Sequence, residues 1–169
     1  MNKILADMHT HTIASGHAYA TLTEMCKEAA NKGLEIYGIT EHSSGIPGTC
    51  ADIYFQNLRV VPRDLFGLDL RLGAEINIID YNGTLDFDQK YIDRLDFVIA
   101  GIHSVCYKFG SKEENTAAII NAIKNPNVNI ISHPDDGRCP LDYEALVQAA
   151  KEYHVLLEIN NNALRDKNR

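Results

Sequence analysis

The sequence predicts an α/β fold of the barrel type, in which about six βα units wrap a mainly parallel sheet. Three observations predict it. Six short apolar, β-branched stretches alternate with helix-type segments. No Gly-x-Gly-x-x-Gly fingerprint follows the first stretch, as an open doubly wound dinucleotide fold would favour. Instead, a residue able to bind a metal follows each stretch, which suits a barrel whose strand C-termini converge on one face.

In chain order the stretches are Ile4-Leu5-Ala6, Ile36-Tyr37-Gly38-Ile39, Leu70-Arg71-Leu72-Gly73-Ala74, Phe97-Val98-Ile99-Ala100-Gly101-Ile102, Val128-Asn129-Ile130-Ile131 and Val155-Leu156-Leu157-Glu158-Ile159. All six read as buried strands. Thr21 and Glu24 match a capping box opening a helix over 21–32, and Gly33 supplies the stop. Residues 52–67 read as a less regular helix-and-loop segment broken at Pro62, and 88–95 as a short helix. Ser111 and Glu114 repeat the capping box, and the helix they open runs through Ala118, Ile119, Ala122 and Ile123. After Pro140, a last helix carries Leu146, Val147, Ala150 and Tyr153 on one apolar face.

At 169 residues the expectation is one domain over 1–169. The 16 basic against 23 acidic residues give a net charge of -7, which argues against a broad nucleic-acid face or a polybasic membrane anchor. An anionic substrate must therefore be attracted locally. No apolar run approaches the roughly 20 residues of a membrane-spanning helix, and residues 1–7 lack the apolar stretch of a secretory signal, so a cytoplasmic location is expected. Cys26, Cys50, Cys106 and Cys139 form no Cys-x-x-Cys pair and read as reduced, partly buried thiols rather than a zinc site or disulfide scaffold.

The histidines carry the functional signal. The strand ends hold Asp7-Met8-His9-Thr10-His11, Thr40-Glu41-His42, Ala74-Glu75-Ile76, Gly101-Ile102-His103, Ser132-His133-Pro134 and Ile159-Asn160-Asn161. From His9 the steps are 33, 33, 28, 30 and 27 residues, close to one βα unit each. His9 and His11 project to the same side of an extended backbone, so the pair can grip one ion, and His17 can reach back from the first loop. Six imidazoles and one carboxylate exceed the needs of one tetrahedral ion, whose catalytic form uses three protein ligands and an open position. Two or three ions are implied, with Glu75 the natural bridge between two of them. The set is nitrogen and oxygen only, which suits zinc, manganese or iron. His154, between a helix and a strand, reads as a surface histidine.

Together, Asp7-Met8-His9-Thr10-His11 with His17, Thr40-Glu41-His42, Glu75, His103 and Ser132-His133-Pro134 resemble the PHP (polymerase and histidinol phosphatase) family of metal-dependent phosphoesterases. The YcdX-like phosphatase branch is also similar in Ala14-Ser15-Gly16-His17-Ala18-Tyr19, Asn57-Leu58-Arg59-Val60-Val61-Pro62-Arg63 and Leu157-Glu158-Ile159-Asn160-Asn161, so the resemblance covers essentially all of the sequence. It implies a distorted (βα)7 TIM-like barrel with a trinuclear centre. His9, His11 and Glu75 would hold one ion, Glu75, His103 and His133 a second, and His17 with His42 a third. Asp7 would hold a histidine in its binding tautomer. The family's seventh strand ends in Gly-x-Asp-x-His and completes the first and third sites. These 169 residues do not contain it, so the expectation is a domain truncated at its C-terminal end relative to the family. Such an incomplete barrel leaves unpaired edge strands that favour a homo-oligomer.

The resemblance implies hydrolysis of a small-molecule phosphomonoester by a hydroxide held at two ions, with Glu75, His103 and His133 as the catalytic set. Arg59 and Arg63 are candidate phosphate ligands, since guanidinium forks suit phosphate. Two further readings compete. An amidohydrolase also opens on His-x-His but usually ends its fourth strand on lysine, where this sequence has His103. A metal-binding module of low activity, like the PHP domains attached to DNA polymerases, is the other.

Overall fold

A computed structural model of the protein describes residues 4–160, which fall into two compact units. The first takes the residues up to Glu75 together with Phe87–Val98, and the second takes Ile76–Asp86 together with the residues from Ile99 on.

The first unit contains strand β1 (Ala6–Asp7), helix α1 (Leu22–Asn31), β2 (Ile36–His42), α2 (Ile53–Asn57), most of β3 (Asp69–Asn77), α3 (Gln89–Ile92) and the start of β4 (Phe97–Gly101). Its ladders are parallel, with Asp7 opposite Tyr37 on β1 and β2, and Ile36 opposite Asp69 through His42 opposite Glu75 on β2 and β3. Parallel strands need a crossover, and α1 supplies the first. Its predicted capping box is formed: Thr21 Oγ1 accepts the Glu24 N–H at 3.3 Å and the Glu24 carboxylate accepts the Thr21 N–H at 2.7 Å. The irregular stretch around Pro62 is α2 followed by 3-10 turns at Leu58–Val60 and Leu65–Gly67. Cys26, Phe55, Leu70, Leu72 and Ala74 are fully buried, with Phe55 edge-on to Phe87 at 4.9 Å. Burial of each large residue contributes about 1.5–3 kcal/mol.

The second unit holds the end of β3, β4 from Ile99, α4 (Lys112–Ile123), β5 (Ile130–Ile131), α5 (Tyr143–Tyr153) and β6 (Leu156–Leu157). Its strands are again parallel, with Ile99 opposite Ile130 and Ile130 opposite Leu156. Ala118, Ile119, Ala122 and Ile123 of α4 are buried, as their spacing predicts. The Ser111 capping box is formed as well, with Ser111 Oγ accepting the Glu114 N–H at 3.2 Å and Glu114 accepting the Ser111 N–H at 2.8 Å. Ser111→Ala is expected to cost about 1 kcal/mol. In a protein of this size that is a fall of roughly 2–4 °C in melting temperature, read by calorimetry.

Two expectations are corrected. On α5 the buried residues are Leu146, Ala149 and Ala150, while Val147 is 53% and Tyr153 41% exposed. Val147 stands about 100° round the helix from Leu146, and Tyr153 sits in a last turn that ends at His154 in the left-handed conformation. The end strands are not buried either. β1 is exposed and Leu156 of β6 is 66% exposed, because each is only two residues long and is paired on one side within its own unit. The described residues contain six strands, and Asn161 lies outside them. No described helix is long and apolar enough to cross a membrane.

Candidate functional site

Beyond β1 the backbone stays alongside β2. Thr40 N–H donates to the Thr10 carbonyl at 2.9 Å, Thr10 N–H donates to Thr40 Oγ1 at 3.2 Å, and Thr10 Oγ1 donates to the Gly38 carbonyl at 2.6 Å. With the backbone tied at Thr10, the flanking His9 and His11 present their rings together, Nε2 to Nε2 at 3.2 Å. The parallel register independently sets His42 opposite Glu75. Glu75 is 1% exposed, and its Oε2 lies 3.0 Å from His9 Nε2, 3.2 Å from His11 Nε2 and 3.1 Å from His42 Nδ1.

A buried carboxylate costs several kcal/mol unless cationic partners surround it. The donor spacing fits that role. His9 Nε2, His11 Nε2 and Glu75 Oε2 form a triangle with edges of 3.0, 3.2 and 3.2 Å. Donors 2.0–2.1 Å from a tetrahedral zinc ion stand about 3.3 Å apart, so the triangle has the size of one tetrahedral face. Three imidazole or carboxylate donors with a fourth position open is the pattern of a catalytic site. A second group joins His11, His17 and His42, whose donor atoms lie within 4.8 Å of one another. His17 is the exposed member, its ring 4.9 Å from those of both His11 and His42.

Behind His11 stands a buried polar set. Its Nδ1 is 2.9 Å from Ser15 Oγ, and Ser15 Oγ also accepts the His42 N–H at 3.1 Å and donates to Glu41 Oε2 at 2.5 Å. Glu41 further accepts the Thr12 hydroxyl at 2.5 Å and the Thr12 N–H at 3.1 and 3.2 Å. Thr12, Ser15 and Glu41 are all buried. Ser15 lies in the short 3-10 turn Ile13–Ser15, which Gly16 closes at φ 76°.

In the second unit, His103 Nε2 and His133 Nε2 are 3.2 Å apart, the same edge length. Asn77, fully buried at the end of β3, holds His103 in place. Asn77 Oδ1 is 2.7 Å from His103 Nδ1, while its amide nitrogen donates to Asp86 Oδ2 at 2.6 Å and its backbone N–H to Asp86 Oδ1 at 2.8 Å. With the amide nitrogen turned to a carboxylate, the oxygen faces His103, so Nδ1 carries the proton and the Nε2 lone pair faces His133. His133 has φ 32°, and its N–H is held by Glu158 Oε2 at 2.7 Å. Gly101 leaves room for the pair, since a Cβ there would stand 2.0 Å from Ser132 Oγ and 3.4 Å from each of the His103 and His133 Cε1 atoms.

Asp7 Oδ1 accepts the His9 backbone N–H at 3.4 Å. Arg63 ties its loop to the residue before β4, with Nε donating to Asp96 Oδ2 at 2.8 Å and Nη1 to the carbonyls of Leu58 and Val61 in the loop at 3.0 and 2.8 Å. Arg59 is exposed and lines an open hollow with Tyr54 and Asn57. Burial pushes the thiols of Cys50 and Cys139 up to about 11 and raises those of Cys26 and Cys106, which keeps them protonated and poor ligands. His154 is exposed at the α5 terminus. Sequence reasoning missed Thr12, Ser15, Glu41, Asn77 and Asp86. Two carried a signal: Glu41 is an acid inside a strand-end motif, and Asn77 lies two residues beyond Glu75 on the same strand.

The PHP domain family profile matches residues 7–163. A protein of Acetivibrio thermocellus named as a probable phosphatase is 48% identical over 161 residues, covering 95% of this chain and 67% of that protein. One of Caldicellulosiruptor saccharolyticus with the same name is 49% identical over 165 residues, covering 96% and 69%. The sequence thus spans about two thirds of the length of these curated relatives. Among solved structures, the histidinol phosphate phosphatase of Lactococcus lactis, complexed with zinc, L-histidinol and phosphate, has a TM-score of 0.63 at 21% identity, covering 95% of this chain and 74% of that one. The putative histidinol phosphatase of Listeria monocytogenes has a TM-score of 0.62 at 15% identity, covering 92% and 82%. These two are similar in fold. The His-x-His pair, the buried Glu75 beside it and a family match over most of the sequence agree, and the protein belongs to the PHP domain family.

Proposed function

We propose that this protein is a metal-dependent phosphatase module acting on a small-molecule phosphomonoester. The observation that carries the reading is the triangle of His9 Nε2, His11 Nε2 and Glu75 Oε2, sized for one divalent ion. The names of the relatives, and the zinc and phosphate in the Lactococcus lactis structure, support it. His9, His11 and Glu75 hold one ion, His103 and His133 give two nitrogens to a second, and His17 with His42 serves a third. Of the three residues proposed as catalytic, Glu75 belongs to the first unit and His103 and His133 to the second. When bound, zinc, manganese or iron supplies Lewis-acid charge for the phosphoryl oxygens and lowers the pKa of water into the neutral range.

The residues themselves do the holding and orienting. Glu75 places one negative charge among three imidazoles, which favours a cation at that point over the anionic substrate alone. Asn77 keeps the His103 proton on Nδ1 and so its Nε2 lone pair outward. Arg59 is the residue proposed to meet phosphate oxygens, with Arg63 in second place behind its loop contacts. In a protein of net charge -7, these local positive groups draw an anion in.

The test is release of inorganic phosphate from an aryl phosphate by the protein stripped of metal and then supplied with zinc, manganese or iron. Turnover that depends on added metal and stops with a chelator is expected. Stoichiometric metal uptake with no turnover under any of the three would replace the phosphatase by a metal-binding module.

A further inference from the structure

We propose that Glu41 and Ser15 are positioning residues that lock His11 in the tautomer with its proton on Nδ1, leaving the Nε2 lone pair for a divalent cation. The lock follows from counting protons. Ser15 Oγ has one proton and two lone pairs, and it meets three partners: Glu41 Oε2, the His42 N–H and His11 Nδ1. The His42 backbone N–H can only donate, so it takes one lone pair. The Glu41 carboxylate accepts. It accepts the Thr12 hydroxyl and the Thr12 backbone N–H in the same way. The Ser15 proton therefore goes to Glu41.

One lone pair of Ser15 remains, aimed at His11 Nδ1 at 2.9 Å, and only an N–H can fill it. In a neutral imidazole the other nitrogen is then the acceptor. That atom is His11 Nε2, the one at 3.2 Å from both His9 Nε2 and Glu75 Oε2. Glu41 thus acts on the ring through a single hydroxyl, from a fully buried position on β2, and reaches no donor of the triangle itself. Groups that fix a ligand histidine in this way are worth about 10–100-fold in metal affinity when removed.

The value of the lock to a metal rests on the reading of His11 as a ligand; the tautomer does not. The experiment is a long-range proton–nitrogen NMR spectrum of the metal-free, nitrogen-15-labelled protein, at a pH well above the ordinary imidazole value of about 6.5, with His11 assigned by comparison with His11→Gln. The wild-type spectrum should show the His11 proton on Nδ1. Ser15→Ala and Glu41→Ala should both lose that signature while His103, held separately by Asn77, keeps its own, and zinc titration should show an affinity about 10–100-fold weaker. A His11 proton on Nε2 in the wild type overturns the proposal. So does a Ser15→Ala variant with unchanged signature and zinc affinity. If Glu41→Ala fails to fold, the wild type and Ser15→Ala decide. If His11 shows the Nδ1 proton but the wild type takes up no zinc, the lock stands and the metal reading falls.

Discussion

Glu75→Gln is expected to remove tight metal binding while leaving the metal-free fold nearly as stable as before. The amide keeps the shape of the carboxylate and one accepting oxygen. It discards the negative charge that three imidazole nitrogens face at 3.0–3.2 Å. Outer partners of ligands are worth about 10–100-fold in affinity, and a direct ligand should lie at or beyond the upper end of that range. A loss of about 100-fold is about 2.7 kcal/mol. Thermal unfolding gives the cleanest readout. Zinc at about 100 times the wild-type dissociation constant should stabilise the wild type by about 2.7 kcal/mol, a rise of roughly 5–11 °C, and should stabilise Glu75→Gln by at most about 0.4 kcal/mol, or roughly 1–2 °C. Equal zinc-induced shifts in the two proteins would remove Glu75 from the ligand set. Phosphate release should fall by at least about 100-fold in parallel.

The largest effect on the fold itself is expected from Gly16→Ala. Gly16 closes the turn between His11 and His17 at φ 76°, where any L residue bearing a Cβ loses about 1–2 kcal/mol. Its Cβ would also stand 2.1 Å from the Gly48 carbonyl oxygen and 2.6 Å from the carbonyl carbon, and backbone does not swing aside as a flexible tip does. Overpacking adds about 1–3 kcal/mol, so a loss of about 3 kcal/mol is expected, or roughly 6–12 °C in melting temperature. Gly48→Ala separates the two causes. Gly48 has φ 89° but open space where its Cβ would go, so only the backbone strain of about 1–2 kcal/mol applies. Similar losses in the two variants would refute the close approach at Gly16.

Much of the architecture was legible because βα units impose a step of about 30 residues. His9, His42, Glu75, His103 and His133 follow that step, and local signals such as the capping boxes at Thr21 and Ser111 mark where α1 and α4 begin. Other features were misread for equally physical reasons. The stretch at Ile4 promised a buried strand, yet hydrophobicity does not say whether a neighbour covers it, and β1 is short and exposed. The apolar face of α5 was read askew, taking in Val147 and Tyr153 and leaving out Ala149, because the apolar residues of this helix fit more than one helical stripe.

Residue type and spacing were enough to establish an α/β protein with histidines and one glutamate at successive strand ends, since periodicity belongs to the sequence itself. Which way the Ser15 proton turns behind His11, why Asn77 belongs with His103, and how Glu75 comes to lie against His9, His11 and His42 are matters of partners 26 to 66 residues apart. Such partners are chosen by strand register and by the path of the 8–16 segment along β2. Buried polar groups must find hydrogen bonds wherever the fold brings donors and acceptors together, and no local pattern records where that is.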